Sequence, residues 1–190
     1  MKLLEQRIIC DGKVLPGDIL KVNGFLNHRI DVKFVCELGK EFHRIFADCD
    51  VNKLLTIESS GIGVACLTAQ FFDAPVVFAK KAKTSNIAND VWSARAHSYT
   101  HNNEYDAIVS KEYLGEGDRV LIIDDFLANG AALEALISIC EQAGATVVGC
   151  GIVIEKKYQG GGDKLRARGV RVESLATIKS MTDDGKIEFC

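Results

Sequence analysis

Asp124 and Asp125 stand side by side in the stretch RVLIIDDFLANGAALEALISIC, after the apolar run Val120 to Ile123 and before Ala128, Asn129 and Gly130. An apolar run, two adjacent carboxylates, a glycine turn and then an amphipathic segment read as a buried strand that turns into a helix. In an open parallel α/β sheet, ligands sit outside the carboxyl ends of the strands. A glycine turn there directs backbone N–H groups and a helix N-terminus toward an anion, so a phosphate fits. Two carboxylates next to that cradle repel a phosphorylated ligand unless they accept hydrogen bonds from sugar hydroxyls or hold a divalent cation. A ribose 5-phosphate meets both demands, with phosphate on the turn and ring hydroxyls on the aspartates. The competing reading is a solvated acidic pair at an ordinary strand end.

The elements that must position these residues follow from periodicity. Asp31 is placed to cap a helix whose buried face carries Val35, Leu38, Phe42, Ile45 and Phe46. A strand over Leu54–Glu58 precedes the turn SSGIG and a short helix ending near Phe72. Further strands are expected over 75–81, 106–110, 120–124 and 146–157, with a helix over about 131–144. Residues 83–103 are polar and mixed in charge, with Ile87, Val91 and Trp92 as large apolar residues, and read as a lid or binding loop. The alternating tail from Gly169, with its Asp184-Gly185 turn signal, predicts a small antiparallel element at a sheet edge. Continuous apolar strands interleaved with helices predict an α/β fold, a parallel sheet covered on both faces.

Composition bounds the function. The 190 residues are 47% hydrophobic with mean hydropathy +0.08, enough for one substantial core, and a single domain is expected. No apolar run reaches membrane-spanning length, so a soluble, cytoplasmic protein is expected. A net charge of -3 offers nucleic acid no general attraction, which makes any phosphate binding local. Seven unpaired-looking cysteines, mostly in apolar segments, read as buried free thiols. His97 and His101 have helical metal-ligand spacing without a third ligand nearby, and GGGDK (160–164) lacks the ending of a phosphate loop; it reads as a turn into a helix at Asp163.

The pattern VLIIDDFLANG resembles the phosphoribosyl-pyrophosphate (PRPP) signature of the type I phosphoribosyltransferases. TIESSGIG (56–63) is similar to the pyrophosphate loop of the adenine-type branch. GFLNHRID, VVFAKK and GIVIEK are similar to the xanthine-using members of bacterial purine salvage. The resemblance implies the family fold, a central parallel sheet flanked by helices with a small hood from residues of about 1–30 and 155–190. It implies transfer of the phosphoribosyl group from PRPP to xanthine, with Mg2+ entering through PRPP and not through protein ligands. A cytoplasmic homodimer without nucleic-acid or membrane partners is implied as well.

The resemblance also assigns roles. Asp124, Asp125 and Lys81 are the expected catalytic residues. Ala128, Asn129, Gly130, Ala131 and Ala132 would hold the 5-phosphate, and Ser59, Ser60, Gly61 and Lys80 would meet the diphosphate. Leu20, Asn27, Lys156 and Phe126 would bind xanthine. Three alternatives stay open at single positions: Lys156 as a solvated surface lysine, Asn27 as a loop or cap residue, and Phe126 as a core residue. The turn departs from most relatives in having no threonine or serine, so backbone N–H groups must dominate. Ala128 replaces the carboxylate that hypoxanthine-guanine relatives place there, so xanthine is expected to enter partly as the anion. Other purine preferences and a non-catalytic PRPP sensor are the remaining function classes.

Overall fold

The computed structural model describes residues 1–82, 90–97 and 104–190. In chain order these form α1 (Lys2–Asp11), a hairpin of β1 (Lys13–Leu15) and β2 (Ile19–Lys21), and a π-helical turn at Asn23–Asn27. Next come α2 (Val32–Ile45), β3 (Lys53–Ile57), α3 (Ser60–Phe72), β4 (Val76–Ala82), β5 (Val91–His97) and β6 (Glu104–Ser110). β7 (Arg119–Leu127), α4 (Ala131–Ala143), β8 (Thr146–Lys156), a 3-10 turn at Lys157–Gln159, α5 (Gly161–Ala167), β9 (Val172–Met181) and β10 (Ile187–Phe189) complete the order.

Among the described residues the main sheet runs β10-β9-β8-β7-β3-β4-β6-β5. The five inner strands from β9 to β4 pair in parallel, while β6, β5 and β10 are antiparallel at the edges. The α/β class and the strand positions agree with the sequence expectations. Three points differ. β9 was expected in a small antiparallel tail but extends the main sheet in parallel beside β8, leaving only β10 antiparallel. Its alternating pattern reflects a strand near the edge, buried less evenly than β8. Part of the expected lid loop is strand: Val91–His97 pairs with β6 in continuous register. The remainder of that loop, 83–89 and 98–103, lies outside the described residues, as does His101. Finally, α3 is a full 13-residue helix.

Two apolar layers cover the sheet. On one face, α2 buries Phe34, Val35, Leu38 and Phe42 against α3 and the central strands. Each such side chain contributes about 1.5–3 kcal/mol of burial. The Asp31 carboxylate accepts a hydrogen bond from the Phe34 N–H (3.2 Å) and caps α2 as the sequence predicts. It also accepts from Arg7 of α1 (3.2 Å), whose guanidinium lies 5.4 Å from the ring centroids of both Phe25 and Phe34. That contact fastens the N-terminal segment to the sheet layer. On the other face, α4 buries Leu133, Leu136, Ile137 and Ile139 against β6, β7 and β8. Gly149 and Gly151 in β8 let the sheet approach α2, because a Cβ at either would lie 2.4 or 2.9 Å from the rings of Phe46 and Phe42.

Of the cysteines, Cys140 and Cys150 are buried as expected, and burial pushes both thiols up to about 12. Cys10, Cys66 and Cys190 are exposed instead, because helical and terminal positions in apolar stretches still present one side to water. No helix among the described residues is long and apolar enough to cross a membrane.

Candidate active site

β3 leads through α3 to β4 on one side, whereas β7 leads through α4 to β8 on the other. The chain therefore diverges between β3 and β7, and the loops that leave these strands flank a crevice at the carboxyl edge of the sheet. The parallel register, with Ile57 opposite Ala79 and Asp124 opposite Ile152, brings the ends of β3, β4, β7 and β8 to that same edge. A cavity of about 350 Å³ lies there.

The turn after β7 forms the floor. Gly130 has φ of 92°, a left-handed conformation that a side chain resists, and it caps α4. The Asn129 carboxamide oxygen accepts a hydrogen bond from the Ala131 N–H at 3.1 Å. Ala128, Asn129, Gly130, Ala131 and Ala132 all line the cavity. The GGGDK segment supports this turn. The Gly161 N–H donates to the Ala128 carbonyl (3.2 Å), and a Cβ on Gly161 would lie 2.4 Å from that oxygen. Its helix starts at Gly161 and not at Asp163, because only glycine permits this approach.

The acidic pair divides in two. Asp124 is 5% exposed, and its carboxylate accepts the Asp125 N–H at 2.9 Å. Burial, reinforced by the neighbouring Asp125 charge, raises its pKa well above the usual carboxylate range, while Lys81 opposes the shift. Asp125 faces the cavity and accepts from the Asn27 amide at 3.4 Å. The two are not equivalent: Asp124 lies behind the cavity wall and Asp125 faces the cavity.

The end of β4 resolves the two lysines. Lys81 lines the cavity, its ammonium 5.1 Å from the Tyr105 ring centroid, and its N–H donates to Glu58 (2.5 Å). Lys80 is not brought here; it lines a separate hollow with Phe78 and Ile108 on the opposite face. Successive strand residues point to opposite faces, so only one of a pair can reach a site. Ser60 lines the cavity, but Ser59 is exposed outside it and Gly61 is buried beneath, where a Cβ would lie 2.2 Å from Thr56 Oγ1 and 3.2 Å from Asp124 Oδ1.

The far wall comes from the N-terminal segment and β8. Leu20, Asn27, Phe126 and Lys156 line it together with Asp18. Phe126 both lines the cavity and packs against the core. Lys156 is 7% exposed, which excludes the solvated-surface alternative. Its ammonium donates to the Asp18 carbonyl and stands 3.7 Å from the Asp18 carboxylate. Behind it, Glu155 is 1% exposed and binds Arg166 through two hydrogen bonds (2.8 and 2.7 Å), holding α5 against β8. Asp18 and Tyr105 were not anticipated; of these only Asp18 had a signal, the Pro16-Gly17-Asp18 turn, whereas Glu58 belongs to the TIESSGIG pattern without having been given a role.

A glycine turn opening a helix and an acidic pair, together at the divergence point of an open α/β sheet, are the arrangement of a sugar-phosphate-using fold. The chain belongs to the phosphoribosyl transferase domain family, whose pattern matches residues 38–179. It is 53% identical, over all of its length and 98% of the relative's, to xanthine phosphoribosyltransferase of Lachnoclostridium phytofermentans. It is 52% identical to that of Bifidobacterium adolescentis, over all of this chain and 99% of the relative. Its fold is similar to adenine phosphoribosyltransferase of Giardia lamblia complexed with 9-deazaadenine (TM-score 0.79, 21% identity, covering 92% and 97% of the two chains). A similar match is the Trypanosoma brucei adenine enzyme with AMP, pyrophosphate and ribose-5-phosphate (TM-score 0.79, 18% identity, covering 96% and 82%).

Two outcomes follow. Gly161→Ala forces α5 away from the Ala128 carbonyl and is expected to weaken phosphate binding at the turn about tenfold, ~1.4 kcal/mol, as read by titration with a ribose 5-phosphate. Asp124 binds its proton more tightly folded than unfolded, so the fold loses stability as pH rises from the ordinary carboxylate range through the raised value. Asp124→Asn is expected to flatten that loss and raise Tm at neutral pH, measured by thermal melts across the pH range.

Proposed function

We propose that the protein transfers the 5-phosphoribosyl group of PRPP to xanthine, yielding xanthosine 5'-monophosphate and pyrophosphate. The observation that carries the reading is a single cavity in which the Ala128–Ala132 turn, Asp125 and Lys81 face Leu20, Asn27 and Lys156. The first group suits a phosphorylated sugar and the second a flat base rich in carbonyls. The names of the full-length relatives support xanthine as that base.

Backbone N–H groups of the turn hold the 5-phosphate at the start of α4, where the helix dipole favours it. Asp125 accepts hydrogen bonds from the ribose hydroxyls, and its charge favours the cationic character that the sugar develops as the diphosphate leaves. Lys81 and the backbone around Ser60 face the leaving diphosphate. Lys80, on the opposite face, points away from the diphosphate. Among the described residues no group of three or more His, Cys, Asp or Glu could hold a metal. Mg2+ would take its ligands mainly from the diphosphate and water, with Asp125 the carboxylate on the sugar side of the cavity and Asp18 occupied by Lys156, Tyr158 and Gln159. The ion when bound supplies neutralisation of the leaving group's charge.

Lys156 offers three donors and no acceptor, which suits a carbonyl oxygen or an anionic purine and disfavours an amino group. Asn27 Oδ1 is buried without a hydrogen-bond partner among the described residues, and a ring N–H of the base would satisfy it. Ala128 lacks a carboxylate, so no residue of the turn removes the base's proton, and xanthine enters partly ionised. We further propose a cytoplasmic homodimer, as the family resemblance implies.

The deciding measurement is product formation with PRPP, Mg2+ and each purine in turn. Xanthine is expected to give the highest kcat/KM; turnover confined to another purine changes the substrate, and PRPP binding without turnover makes the chain a sensor. Asp125→Ala is expected to lower kcat/KM at least about tenfold, ~1.4 kcal/mol of transition-state stabilisation. An unimpaired variant removes the aspartate from the mechanism. The pH profile of kcat/KM should contain a limb at the ionisation of xanthine itself; its absence contradicts entry as the anion.

A further inference from the structure

The β1–β2 hairpin turns through Gly17 (φ 83°) and Asp18 (φ 63°), so an aspartate holds a left-handed conformation that most residues avoid. That conformation turns both its carbonyl and its carboxylate toward the end of β8. The carbonyl accepts Lys156 Nζ, and the carboxylate accepts the Tyr158 hydroxyl and the Gln159 amide. Lys156 Nζ is also 3.7 Å from a carboxylate oxygen. Thus one residue, remote in sequence, gathers polar contacts from Lys156 at the end of β8 and from Tyr158 and Gln159 just after it, and itself lines the cavity.

We propose that Asp18 is a positioning residue for base selection: it fixes the direction of the Lys156 ammonium and maintains its charge, so that the pocket favours oxo-purines over amino-purines. The inference rests on the phosphoribosyl transfer to xanthine proposed above. A buried ammonium without a counter-charge loses its proton readily. Burial does lower the Lys156 pKa, and the Asp18 charge and hydrogen bond oppose that shift. The other charged or titratable groups lining the cavity are Asp125 at the end of β7, Lys81 at the end of β4 and Tyr105 on β6; Tyr158 lies on the far side of Asp18. Because the Asp18 oxygens are taken by Tyr158, Gln159 and Lys156, the residue acts on the base through Lys156. A neutral Lys156 amine could accept a hydrogen bond as well as donate one, and discrimination against an amino-purine would fall.

The test is Asp18→Asn, which keeps the carbonyl, the shape and tolerance of the left-handed turn but removes the charge. Full pH profiles are taken for xanthine and adenine, with PRPP varied separately. The expected result is an alkaline limb of kcat/KM for xanthine displaced to lower pH, a loss of about tenfold at the alkaline end that is recovered at the acid end, and a KM for PRPP within about twofold of the unmodified protein. The preference for xanthine over adenine should fall by a similar factor. In a Lys156→Met background, Asp18→Asn should cause no further displacement of the limb. Superimposable profiles overturn the inference, as does an equal loss at every pH accompanied by a weaker PRPP KM, which marks a general loosening of the hairpin. Failure of the unmodified protein to prefer xanthine overturns the underlying functional reading instead, so the two failures are separable.

Discussion

Parallel pairing of β7 with β3 on one side and β8 on the other forces three chain exits onto one edge of the sheet. A parallel strand cannot return by a tight turn, so each exit must climb away into a helix or loop. α3 and α4 leave on opposite faces, and the cavity opens in the crevice between their starting turns. The neighbouring exits of β4 and β8 contribute Lys81 and Lys156 for the same reason. The site is a consequence of strand direction before it is a matter of particular side chains.

That edge concentrates ionisable groups in low-dielectric surroundings, and the protein treats each differently. Asp124 has no cation in hydrogen-bond contact among the described residues, and burial favours its neutral form. Glu155 is equally deep, yet two hydrogen bonds from Arg166 and one from Ser174 hold its carboxyl below the usual range despite burial. Lys156 lies between these cases, with Asp18 as its counter-charge. Removing one member of such a pair leaves the other buried and unpaired, which is why single substitutions here should affect function and stability together.

Local chemistry was readable wherever neighbouring residues in sequence are also neighbours in space. The Asp31 cap, the buried stripe of α2, the Val120–Ile123 strand and the Gly130 turn each depend on residues within one or two turns of chain. The doublet and the turn after it could therefore be assigned a ligand chemistry from order alone. Lys80 shows where this stops. Adjacent strand lysines are indistinguishable until the facing of β4 is known, and that facing is set by its pairing with β3 and β6. Ser59 and Gly61 illustrate the same limit at the start of α3: of that loop's three expected residues, only Ser60 reaches the cavity.

Sequence by itself determined the fold class, the acidic doublet, the Gly130 turn that opens α4 and the absence of a carboxylate at Ala128, since each is encoded in residue types and short spacing. The tertiary structure alone decided that Asp124 is buried and Asp125 presented, that β9 runs parallel to β8, and that Gly161 rests on the Ala128 carbonyl. It also joined Asp18 to Lys156 across 138 positions of chain. These contacts depend on which strand lies beside which and on how closely two backbones approach, and no short-range pattern encodes either.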